Sequence, residues 1–144
     1  MACSPSAPAA NVPADERAQS GLANVPLTIH SQNGDHRFSV EIAATPEQQE
    51  RGLMFRRALG PDEGMVFPYD PPQPVGFWMK NTLIPLDMLF IGTDQRVGRI
   101  AANVPPLSLD TVPSGIPVTA VLELRGGRAA ELGISVGDRV EWQP

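Results

Sequence analysis

The pair Asn33-Gly34 divides two segments of alternating apolar and polar residues, and it constrains the fold more than any other feature of the chain. Asn-Gly favours a two-residue type I′ turn because both central positions of that turn need positive φ. A hairpin over Val25 to Ile42 follows, with Ile29 opposite Phe38, Leu27 opposite Val40 and Val25 opposite Ile42 on one face. His30 with Arg37 and Thr28 with Ser39 occupy the other. His30 and His36, the two histidines, then point to opposite sides of the ribbon and cannot share a metal ion. Both are expected to face solvent.

Thr45-Pro46-Glu47-Gln48 joins an N-cap, a proline at the first helical position and a capping-box Gln. The expected helix runs from Pro46 to about Phe55, with Glu47 and Arg51 spaced for an ion pair and Leu53 to Phe55 docking on a sheet. Gly64 to Phe67 is a short apolar run, and Tyr69 to Pro74 reads as a stiff connection. Strand candidates follow at Val75 to Thr82, Leu86 to Ile91 and Arg96 to Val104, then a proline-rich loop from Pro105 to Pro117. Val118 to Leu124, dense in aliphatic residues, reads as a central strand. Arg128 to Leu132 can make one or two helical turns before a last strand at Arg139 to Trp142. Short strands, Gly/Pro turns and two brief helices predict a mainly β protein (α+β by strict count): a compact antiparallel β-sandwich or barrel.

Residues 1–24 are rich in Ala, Pro, Ser and Asn and lack apolar periodicity, which predicts a disordered tether ahead of a single β-rich domain over 25–144. Cys3, the single cysteine, excludes an internal disulfide framework and a thiolate metal cluster. Ala2-Cys3-Ser4 before a Pro/Ala/Ser stretch looks like the mature start of a bacterial lipoprotein, with Cys3 lipidated and the domain exported to the periplasm or outer envelope. The other reading is an ordinary cytosolic N-terminus with an incidental Cys. A formal charge of −5, with both signs interspersed, supplies no basic stripe for nucleic acid or for an anionic membrane surface. Membrane attachment is expected only through Cys3, and the expected state is a monomer.

The run FWMKNTLIPLDMLFI, Phe77 to Ile91, sets polar residues in an apolar context. Alternation places Phe77, Met79 and Asn81 on one side and Trp78, Lys80 and Thr82 on the other. Asp87 and Glu123 are further charged residues on apolar strands. An unpaired charge withdrawn from water costs several kcal/mol, so an interior Lys80 should meet Asp87 or Glu123. Beside Trp78 and Asn81, such a cluster would form a polar notch in an apolar wall. The bland arrangement has Lys80 in solvent, Asn81-Thr82 in a turn and Asp87 on backbone amides near Pro85. Trp78 and Trp142 likewise fit either the core or an exposed stacking platform.

The motifs Arg51-Gly52-Leu53-Met54-Phe55-Arg56, Gly64-Met65-Val66-Phe67, Trp78-Met79-Lys80-Asn81-Thr82, Pro85-Leu86-Asp87-Met88, Val121-Leu122-Glu123-Leu124, Gly133-Ile134 and Gly137-Asp138 resemble the bacterial and archaeal family called domain of unknown function 192. The resemblance covers nearly all of the chain from Val25. It implies a compact, mainly β domain, frequently behind an export signal, and no assigned reaction. The family's hallmark residues fall on Arg51, Gly52, Met54, Trp78, Lys80, Asn81, Thr82, Asp87 and Glu123. Gly126-Gly127 stands where the family more often has Ala-Gly.

Phosphate-loop, nucleophile-elbow and zinc-hydrolase motifs are absent from the sequence, and it implies no cofactor or metal. The expected site is Trp78, Lys80, Asn81, Thr82, Asp87, Glu123 and Arg51, with no catalytic residue assigned. Three functions fit: a noncatalytic envelope protein binding a small molecule or saccharide, an enzyme using Asp87 or Glu123 with Lys80, and an interaction module.

Overall fold

The computed structural model describes residues 21–143, so Cys3 and the rest of the expected tether up to residue 20 lie outside the described residues. The strands are β1 (Asn24–Ser31), β2 (Gly34–Ile42), β3 (Glu63–Gln73), β4 (Gly76–Phe77), β5 (Leu86–Ile91), β6 (Val97–Val104), β7 (Val112–Pro113), β8 (Val118–Arg125) and β9 (Arg139–Trp142). Two short helices, α1 (Pro46–Arg51) and α2 (Arg128–Leu132), complete the set. Seven strands form one sheet in the order β6-β5-β8-β3-β2-β1-β9, and β4 pairs with β7 apart from it. The protein is therefore mainly β, as its turn pattern predicts.

All pairings are antiparallel except β2 with β3. That exception follows from the connection, because a crossover returns the chain to run beside β2 in the same direction. It begins with α1, whose capping box forms as expected: the Gln48 N–H donates to Thr45 Oγ1 and the Thr45 N–H to Gln48 Oε1, each 3.1 Å. The helix ends earlier than expected, since Gly52 caps it with φ 48°. Of the segment expected to dock on the sheet, Leu53 is buried, whereas Phe55 is 54% exposed at φ 66°. Arg51 stacks 5.6 Å over that Phe55 ring.

The hairpin forms two residues away from the expected register, with Leu27 opposite Phe38, Val25 opposite Val40 and Ile29 opposite His36. The turn is Gln32-Asn33, and positive φ falls on Gly34. Asn33 is held instead by its side chain, which accepts from Ser31 Oγ at 2.6 Å and donates to the Leu132 carbonyl at 3.0 Å. A two-residue shift leaves every side chain on its expected face. Leu27, Ile29, Phe38 and Val40 are buried, and the two histidines remain on opposite sides.

Two further expectations change. Val75 to Thr82 is not a strand: pairing stops at Phe77, and the Thr82 N–H closes a turn on the Met79 carbonyl at 3.0 Å, with Asn81 at φ 55°. Asn tolerates the left-handed region this turn needs. Conversely, Tyr69 to Gln73 belongs to β3, whose pairing with β8 lapses after Pro68 and resumes at Gln73. Prolines cannot donate to a ladder, which accounts for the lapse.

Each face of the sheet carries an apolar layer. Leu27, Ile29, Phe38, Val66, Leu89, Leu122 and Val140 form one. Met65, Phe67, Met88, Phe90 and Val121 face the other way, under Leu53, Leu59 and Met79. The sheet curls until its edges touch, the Val97 N–H reaching the Asp138 carbonyl at 2.8 Å beside a single Arg96–Arg139 bridge. It does not close into a continuous barrel. β8 is central, as expected, and every residue from Ala120 to Leu124 is buried.

The crossover is anchored by a buried bidentate pair, with Arg56 Nη1 and Nη2 donating to Glu41 at 2.8 and 2.9 Å. Removing one partner of such a pair strands the other charge. Arg56→Ala is expected to lower stability in urea unfolding by about 3–5 kcal/mol, and the joint change with Glu41→Leu by much less.

Candidate functional site

Where the second apolar layer is incompletely covered, a cleft of about 120 Å³ reaches the sheet. The end of α1 and the residues after it, from Gln49 to Met54, form one wall; Phe77, Trp78, Lys80 and Thr82 form the other; Phe67, Tyr69 and Glu123 lie at the floor. Gln49 fixes the first wall by donating to the Ala43 and Pro68 carbonyls at 3.0 and 2.9 Å. Gly52 turns the chain here with a left-handed φ of 48°, and its Cα faces the Phe67 ring. Phe67 and Phe77 lock edge to face at 4.9 Å. A shallower hollow continues outward between Glu47, Glu50, Arg51, Met54, Trp78, Lys80 and Asn81.

Glu123 is the chemical centre. It sits on β8 between Met65 of β3 and Met88 of β5 and is 4% exposed. Among the described residues no side chain or backbone group is hydrogen-bonded or ion-paired to its carboxyl. Burial pushes that carboxyl up to about 8, so it is a neutral acid at pH 7. Burial, with the Glu123 charge second, pushes the nearby Tyr69 phenol up to about 12.

The structure gathers Trp78, Lys80, Thr82, Glu123 and Arg51 around this cleft and places Asn81 in the adjoining hollow. The expected neutralising cluster does not form. Lys80 is exposed and stands 5.2 Å over the Trp78 ring, without an ion pair among the described residues. Trp78 is 42% exposed, consistent with a platform and not with core. Thr82 Oγ1 donates to the Lys80 carbonyl at 3.1 Å, and the Asn81 carbonyl accepts the Phe55 N–H at 2.8 Å, so both shape the turn.

Asp87 is absent from the cleft. It is fully buried on the opposite face of β5, where Oδ1 accepts the N–H groups of Asn103 and Gly127 at 2.7 and 2.9 Å. Its Oδ2 accepts the Ala129 N–H of α2 at 2.8 Å. Asp87 accepts backbone amides, as in the bland arrangement, but from β6 and the start of α2, and so ties three chain segments together. Sequence reasoning missed Tyr69 and Gln49, since one lay in an apparent proline-rich connection and the other resembled a surface helix residue. Among the described residues no group of three His, Cys, Asp or Glu side chains is placed to hold a metal ion.

The model of the family described as "Uncharacterized ACR", domain of unknown function 192, matches residues 28–142. The chain belongs to this family. No curated protein matches. Two crystal structures show the same fold. A protein of unknown function from Novosphingobium aromaticivorans DSM 12444 is 51% identical, with 85% of this chain and 88% of that one covered and a TM-score of 0.84. A protein from Sinorhizobium meliloti 1021 described as a candidate transcription regulator is 43% identical, with 84% and 95% covered and a TM-score of 0.81. In this domain of unknown function 192 protein, Arg51, Gly52, Met54, Trp78, Lys80, Thr82 and Glu123 line one cleft.

Two outcomes separate Glu123 from Asp87. Because the folded chain holds the Glu123 proton between about pH 4.5 and 8 while the unfolded chain releases it, stability falls as pH rises through that window. The melting temperature should decline relative to Glu123→Gln between pH 5 and 8 and run parallel above. Asp87→Ala should instead destabilise by about 3 kcal/mol or more in denaturant titration, since three buried N–H groups lose their acceptor.

Proposed function

We propose that this domain is a noncatalytic binding protein of the cell envelope, and that its cleft takes a small ligand bearing an oxyanion. The observation that carries the reading is the buried Glu123 carboxyl, which has no partner among the described residues and lies at the floor of an open cleft. A buried polar group is expected to find a hydrogen bond, so a neutral carboxyl facing a cleft is complementary to an incoming acceptor. Lys80 and Arg51 extend that complementarity. Both line the cleft, both lie over aromatic rings, and neither makes an ion pair among the described residues. The Ala2-Cys3-Ser4 start and the Pro/Ala/Ser stretch after it support export and a lipid anchor at Cys3. A charge of −5 lends no support to nucleic-acid binding.

A second reading has one observation in its favour. A carboxyl pushed up to about 8 can exchange a proton near neutral pH, which suits a general acid or base. In that case Lys80 and Arg51 would hold an anionic substrate while Glu123 moved its proton. Binding without turnover favours the first reading; slow conversion of a bound ligand, abolished by Glu123→Gln, favours the second.

Calorimetry with small carboxylates and inorganic phosphate tests the site. Lys80→Met should weaken binding by about tenfold or more, equivalent to about 1.4 kcal/mol, without moving the melting temperature. Anion affinity should fall as pH rises through about 8, where Glu123 ionises beside Glu50, Tyr69, Lys80 and Arg51. In Glu123→Gln that pH dependence should vanish. Unchanged affinity in a folded Lys80→Met protein would remove the site.

A further inference from the structure

Exposed apolar side chains are concentrated at one end of the domain. Among the described residues, the large hydrophobic residues that face solvent are Phe55 (54%), Trp78 (42%), Leu83 (44%), Leu107 (59%), Leu109 (65%) and Val136. All but Val136 lie on three loops stitched together by backbone hydrogen bonds. The Phe55 N–H reaches the Asn81 carbonyl at 2.8 Å, the Met79 N–H the Ser108 carbonyl at 2.9 Å, and the Leu107 N–H the Thr82 carbonyl at 3.0 Å. Each exposed residue is therefore in, or next to, a residue of this lattice. A grouping of exposed apolar residues on loops tied to one another is a candidate interaction surface.

Its presentation is held by the backbone. Phe55, Asn81 and Leu107 all adopt left-handed φ, at 66°, 55° and 69°. Phe and Leu are disfavoured there by about 1 kcal/mol or more each. The same loops carry the cleft wall, because Lys80 and Thr82 belong to both. Two cations are embedded in this apolar end, Lys80 over Trp78 at 5.2 Å and Arg51 over Phe55 at 5.6 Å. With a cation over one face of its indole, Trp78 is less suited to stacking on a sugar ring. Cations against apolar surface suit a molecule with an anionic head and an apolar body.

Building on the proposed binding function, we infer that the ligand is a free single-chain amphiphile whose carboxylate or similar oxyanion head enters the cleft. The head lies between Lys80, Arg51 and Glu123, and the chain runs over the rim of Phe55, Trp78, Leu107 and Leu109. Charge complementarity at the head and contiguous apolar surface at the tail both define this class.

The test is calorimetry of the full chain with linear carboxylates from butanoate to decanoate at pH 7, all below micellar concentration. Affinity should rise about twofold or more per added methylene, on the order of 50-fold or more across the series, as expected for partly buried CH₂ groups. The joint Leu107→Ser and Leu109→Ser variant changes exposed positions only, so the fold is expected to persist. It should flatten the chain-length dependence and leave butanoate affinity unchanged. Equal affinity for every chain length would overturn the amphiphile while leaving the oxyanion site intact. No binding of any carboxylate or of phosphate would overturn both. Rim-dependent dimerisation, or adsorption to phosphatidylglycerol vesicles without binding of free decanoate, would assign the rim to another occupant and overturn the inference.

Discussion

A side chain on the central strand of a sheet covered on both faces meets water only where a cover is interrupted. β8 imposes this condition, because β5 and β3 flank it and apolar layers lie above and below. Glu123 occupies the one gap in the second cover reached by a carboxyl of that strand. The crossover sets the gap's boundary. Arg56 pins that segment to Glu41 of β2, Leu53 seals one side, and the Met79 turn seals the other. The cleft is thus a consequence of how the sheet is roofed.

Three buried acids show how partners, and not burial, decide what a carboxyl does. Glu41, Asp87 and Glu123 are 5%, 0% and 4% exposed, so solvent access does not separate them. Glu41 holds a guanidinium by both oxygens, and Asp87 gathers three backbone N–H groups from β6 and the start of α2. Both are therefore satisfied and structural. Glu123 has neither kind of partner among the described residues, and its proton takes the place of a counter-ion. The same residue chemistry yields two struts and one open valence.

Much of this was legible in the sequence and some could not be. The hairpin faces, the capping box, the central strand and the polar anomalies at Lys80 and Glu123 follow from periods of two and from local turn chemistry. The hairpin register slipped by two because a binary pattern of period two cannot detect that shift, and Asn33 answered to a tertiary contact with Leu132. Asp87 stands out in the sequence as a charged residue on an apolar strand, yet the amides that satisfy it belong to Asn103 of β6 and to Gly127 and Ala129 at the start of α2, whose positions no local rule predicts. An acid partner for Lys80 requires a strand that continues through it, whereas the alternative of Lys80 in solvent beside an Asn81-Thr82 turn does not. The turn at Asn81 swings it out to Trp78 instead. Tyr69 was lost among prolines that the bulged end of β3 accommodates.

Local energetics are unfavourable at three positions near the cleft. Left-handed Phe55 and Leu107 together cost about 2 kcal/mol or more, and an orphaned buried carboxyl costs several, against a total stability of about 5–15 kcal/mol for a typical domain. A chain selected for stability alone would place glycine at those turns and an apolar residue at position 123. All three unfavourable features instead meet at one end of the molecule, on segments that hydrogen-bond to one another or line the same cleft. Left-handed Gln95 and Asn103 lie on other segments, so strain is not confined to this opening. What is particular to it is that two left-handed apolar residues and a buried acid without a partner among the described residues meet there, which marks a surface whose form matters more than the stability it removes.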